Sequence, residues 1–147
     1  YNSQPINIFM IDDHYVEIFR NLADEAEKRT GYEIPVLLSQ YTIMMLADHM
    51  RKTQWYPDPS FTENYLQVNN SRSAKELADE CLFISGVFPE YAVRNGVTLT
   101  YYHTLGEACY SRAAVDLNKE LFQNLSNYFV EVSTWTRNVV HNAINLY

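Results

Sequence analysis

The sequence predicts an all-α fold, a single domain over residues 1–147 built as a bundle of five to six helices. Three observations lead there. Four glycines and five prolines make up about 6% of the chain, roughly half of average usage. So few turn formers cannot punctuate a sandwich or a barrel. Hydrophobic residues at 47% and charged residues at 20% give the balance of a folded chain, not a disordered one. Apolar residues then recur at spacings of three and four along most of the sequence, as in helices with one buried stripe.

Residues 1–13 read as a lead-in segment, apolar at Ile6, Ile8, Phe9 and Ile11, with an early Pro5. The first helix is expected from about Asp13 to Thr30, with Tyr15, Ile18, Phe19, Leu22 and Ala26 on one face. Gly31 follows where a left-handed C-terminal cap would sit. Pro35 suits a first helical turn and opens a second helix to about Lys52. Its apolar residues Val36, Leu37, Leu38, Tyr41, Ile43, Met44, Met45, Leu46 and Met50 span a wide arc. A helix apolar on most of its circumference is central in the bundle or covered by a partner. Residues 53–72 are expected to form an irregular connection, since Pro57 and Pro59 cannot continue a helix and Asn69-Asn70-Ser71 is turn chemistry.

Ser73 and Glu76 form a capping box for a third helix, whose stripe is Ala74, Leu77, Ala78, Cys81, Leu82, Ser85 and Phe88, up to Pro89. A short helical piece, Glu90 to Asn95, ends at Gly96. Thr98 caps a helix from about Leu99 to Ala114, buried at Tyr102, Leu105, Gly106, Cys109 and Ala113. Asp116 is the expected cap of a long last helix, Leu117 to Asn145. Leu121, Leu125, Phe129, Val132, Val139, Val140 and Ala143 give that helix a heptad-like seam.

Acidic residues outnumber Lys and Arg by 18 to 11, for a net charge of −7. A nucleic-acid binder needs a basic face to displace counterions, and here the balance is reversed. The basic pairs Lys28-Arg29 and Arg51-Lys52 sit at helix ends, where cations complement the dipole. No apolar run is long enough for a membrane span, and a cytoplasmic location is the expectation. Cys81 and Cys109 lie on small-residue faces and read as small hydrophobes, with their pairing left open.

Motifs that carry a mechanism are missing: no phosphate loop, no dinucleotide fingerprint, no metalloprotease or di-iron signature. No metal and no cofactor are expected. His103 and Glu107 share a helical face, and Asp12, Asp13, His14 and Glu17 cluster near a helix start, where the dipole alone attracts acids. Asp48-His49 and His141 read as surface or cap residues. Ser85-Gly86 lacks the nucleophile elbow, so both Gly86 and Gly106 read as points of close helix approach.

Aromatic content is the less ordinary feature, with 12 Tyr, 7 Phe and 2 Trp. The last helix is also poor in charge, with only Lys119, Glu120, Glu131 and Arg137 between Leu117 and Tyr147. Aromatics in a charge-poor setting are the composition of an interface centre. Tyr128 and Trp135, outside the apolar seam, are therefore the candidate interaction residues. The alternative is a small-molecule pocket or enzyme site lined by Tyr102, His103, Glu107 and Tyr110.

The run Leu82-Phe83-Ile84-Ser85-Gly86-Val87-Phe88-Pro89-Glu90-Tyr91, then Leu99-Thr100-Tyr101-Tyr102, Leu105-Gly106 and Tyr110-Ser111-Arg112-Ala113-Ala114, resembles a group of small, helical, uncharacterised bacterial proteins. The likeness covers mainly residues 73–114, and Val87 stands where the group usually has Phe. It implies a bacterial, helical, non-enzymatic protein. Together these readings lead to a protein-interaction module that docks a protein partner or a second copy of itself.

Overall fold

Helix is the only regular structure among the described residues of the computed structural model, which covers residues 3–51, 69–94 and 98–146, with side chains over 14–51, 69–91 and 98–141. Seven helices fall within those residues: α1 (Ser3–Thr30), α2 (Val36–Arg51), α3 (Ser71–Val87), α4 (Pro89–Arg94), α5 (Leu99–Ala113), α6 (Lys119–Asn127) and α7 (Phe129–Leu146). The helical class predicted from sequence holds. The expected five to six helices become seven because the last one is two.

Local signals account for most boundaries. Gly31 has φ +71° and its N–H reaches the Glu27 carbonyl at 2.8 Å, closing α1 through the left-handed conformation that glycine adopts without a Cβ penalty. Thr98 caps α5 as expected, its hydroxyl oxygen accepting the Tyr101 N–H at 3.2 Å. Two other caps move. Asn70, not Ser73, caps α3, its side-chain oxygen accepting the Ser73 N–H at 2.8 Å. Asn118 caps α6 in place of Asp116, which instead accepts the Ser71 hydroxyl at 3.0 Å. The short polar side chain nearest the helical φ/ψ boundary wins each time.

The lead-in expected over 1–13 is corrected from its third residue onward, since α1 begins at Ser3. Pro5 lies in its first turn, where a missing N–H breaks no helical bond. The irregular connection expected at 53–72 lies outside the described residues as far as 68. At the chain's other end, Tyr128 closes α6 with φ −109° and ψ 22°, and α7 starts at the next residue. Neither proline nor glycine marks that break.

One continuous core joins α1, α2, α3, α5, α6 and α7. The most extensive helix contact is α3 on α5. They run antiparallel, since Ser71 at the start of α3 bonds Arg112 at the end of α5 and Asp116 just beyond it. The two crossings with α7 need small residues. A Cβ built at Gly86 would fall 2.7 Å from Thr136 Cγ2, and one at Gly106 would overlap the Phe129 ring. Ser85 meets Ser133 at 3.0 Å beside the first crossing. Both cysteines are free and buried. No helix of the described residues is long and apolar enough to cross a membrane.

Trp135 belongs to this core, which corrects its placement on an outer face. It is 1% exposed, and its indole N–H donates to Glu27 Oε2 at 2.9 Å. The charge-poor flank of α7 is covered by α1, so a large ring there buries its area against the chain itself. His49, read as a surface or cap residue, is buried in the last turn of α2, while Asp48 is exposed and pairs with Arg51.

Candidate functional site

The residues of α2 divide sharply by face. Leu38, Thr42, Met45, Leu46 and His49 point inward at helical spacing. Val36, Leu37 and Met44 do not, and are 66%, 61% and 49% exposed. With Gln40 they occupy about 100° of the helix surface, at 100° per residue. Leu37, Gln40, Tyr41 and Met44 face Asn118, Glu120 and Leu121 of the α6 start across an open groove. Apolar residues scattered singly on a surface need no explanation, whereas these lie on one face of α2 beside a groove.

Tyr41 forms the inner wall of this groove and is fixed from below. Its hydroxyl donates to Asp79 Oδ1 at 2.7 Å, and the fully buried Tyr110 donates to the same oxygen at 2.6 Å. Lys75, one turn earlier on α3, donates to Asp79 Oδ2 at 2.9 Å and lies 5.7 Å from the Tyr41 ring centre. The Tyr41 ring packs edge-on against Phe122 and Tyr110, at 5.7 and 6.3 Å between centroids. Burial, then the negative charge of Asp79, pushes both phenols well above their ordinary values. They remain neutral donors. Accepting these three hydrogen bonds, Asp79 ties the Tyr41 ring to α3 and to Tyr110.

The other sequence candidates are dispersed. Tyr102 is core, its phenol pushed up to about 12 by burial and then by nearby Tyr91. His103 packs edge-on to Phe129, with its pKa lowered by burial and then by Arg137, and its Nε2 has no hydrogen-bond partner among the described residues. Glu107 is half-buried, and its backbone carbonyl accepts the Ser126 hydroxyl at 2.7 Å. Tyr110 points at Asp79 on α3. Among the described residues, Tyr102, His103 and Tyr110 each pack against different neighbours. Among the rest, Tyr128 is 42% exposed, His14, Glu17 and His141 are exposed, and the side chains of Asp12 and Asp13 lie outside the described residues. No group of three or more His, Cys, Asp or Glu poised for a metal occurs among the described residues.

Comparison with models of known families, with curated proteins and with solved structures finds no match to this chain. The site therefore stands on its own geometry. Sequence reading missed Asp79 and Lys75 as a pair, although their spacing of four is the helical ion-pair spacing. It did register the α2 face, as an apolar arc too wide for one side of a helix.

Proposed function

We propose that this chain is a protein-interaction module that docks a protein partner, or a second copy of itself, through the outer face of α2. One observation carries the reading: Val36, Leu37 and Met44 expose most of their apolar surface side by side, with no charge among them. The groove toward Leu121 gives such a face a concave edge, and the braced Tyr41 ring gives it a rigid wall. Rigid aromatic and aliphatic anchors near a recess are what hot spots are made of. Trp135 leaves the candidate interface because it is core, and Tyr128 stays only as a peripheral contact.

The test replaces Leu37→Glu together with Met44→Glu, both exposed, so the fold should persist by circular dichroism. Self-association by sedimentation and capture of partners from native extract should both weaken, by roughly thirtyfold for each of the two residues that contributes about 2 kcal/mol. Tyr128→Ala should change little. Unaltered association in a folded double variant would remove α2 as the docking face.

A further inference from the structure

His103 stands on α5 one turn before Gly106, and its ring lies edge-on to Phe129 of α7, centroids 6.0 Å apart. About two turns further along α7, Arg137 donates from Nη2 to the Ser85 carbonyl oxygen of α3 at 3.3 Å. Since α3 and α5 are antiparallel, Ser85 near the end of α3 lies beside the first half of α5. α7 therefore runs from Gly106 back toward the start of α5. Long helical side chains lean toward the N-terminus of their own helix. In this antiparallel pair that brings His103 and Arg137 toward each other. Each keeps a nitrogen out of water, His103 Nε2 and Arg137 Nε, and neither atom has a hydrogen-bond partner among the described residues.

We propose that His103 and Arg137 form an acid-sensitive joint: protonation of the imidazole places a second cation beside the guanidinium and loosens α7 from α5 and α3. An imidazolium carries an N–H on both ring nitrogens. At Nε2 that N–H would be buried without an acceptor, beside a guanidinium that is always charged. The neutral ring avoids both costs with its proton on Nδ1. The charges around α5 leave this balance in place. Glu107, one turn along α5, is the carboxylate nearest His103 in sequence. Even so, burial and then Arg137 lower the His103 pKa. On α3, Ser85 is uncharged and Asp79 is engaged by Tyr41, Tyr110 and Lys75. Glu90 of α4, Lys119 and Glu120 of α6, and Glu131 and His141 of α7 are exposed. The folded value lies below the unfolded one, so the stability from the joint is complete above about pH 6.5 and is lost as pH falls.

Two measurements on the full chain test the joint. Carbon-13 titration of the histidine rings, with His103 assigned through the backbone, should give it a midpoint below about 6.5. A midpoint at or above that value overturns the proposal without any substitution. Arg137→Gln should raise the midpoint, and an unmoved one also overturns it. Between about pH 7.5 and about pH 5.5 the parent melting temperature should fall by roughly 3 °C more than that of His103→Gln. Parallel falls would remove the joint.

Discussion

Asp79 shows how much a single side chain can settle. It is nearly buried, yet both of its oxygens are engaged, one by two phenols and one by an ammonium. An ionised group leaves water at little net cost only when its partners are this complete. Tyr110→Phe removes one of those donors without changing the ring. We expect it to destabilise the fold by about 1.5–3 kcal/mol, the range for a hydrogen bond to a charged group, read as a lower urea midpoint. An unchanged midpoint would mean that Tyr41 and Lys75 satisfy Asp79 alone. Of this cluster, only the Lys75–Asp79 spacing is legible in sequence. Tyr41 and Tyr110 lie 38 and 31 residues from Asp79 and meet it only through packing. The same distance in sequence hides the Glu80 partner of His49, 31 residues away.

At the scale of helices, what depends on neighbours within a turn or two was readable, and what depends on another helix was not. The stripe Tyr102, Leu105, Gly106, Cys109 and Ala113 is buried as the period of α5 requires. The face of α1 shifts, with Ile18 exposed, because α1 is covered by α2 and α7 along a line that its own pattern does not specify. The α6–α7 break escapes notice for a related reason: the apolar seam runs through it, and Leu125, Phe129 and Val132 are all buried on either side. Gly106 is where the two kinds of information meet. Helix propensity alone says that Gly106→Ala should stabilise α5 by about 1 kcal/mol. The new Cβ would collide with Phe129, however, and overpacking of this kind costs about 1–3 kcal/mol. A net loss is expected, recovered in part when Phe129→Leu accompanies it. Chemical denaturation of the two variants decides the point, and a gain in stability for Gly106→Ala alone would show that α5 and α7 cross less closely.

Across the whole molecule, burial keeps several acids neutral. It pushes the Cys81 thiol up and that of Cys109 up to about 11, from an ordinary 9.0. It raises Tyr102 to about 12, and Tyr41 and Tyr110 further, from 10.0. Each folded value lies above its unfolded one, so the folded state keeps protons that the unfolded chain releases. The stability these groups contribute is complete below about pH 9 and is lost as pH rises through the folded values. A net charge of −7 at neutrality adds self-repulsion that grows in the same direction. A falling urea midpoint above about pH 9 would therefore not by itself separate the two causes. Thiol chemistry does. At about pH 8 an exposed cysteine reacts readily as its thiolate, whereas buried neutral thiols wait for the chain to open. Alkylation of Cys81 and Cys109 should therefore follow the opening rate of the core and not the reagent concentration. Rapid second-order labelling of either thiol in the native state would place it at the surface and would undo the packing of α3 on α5.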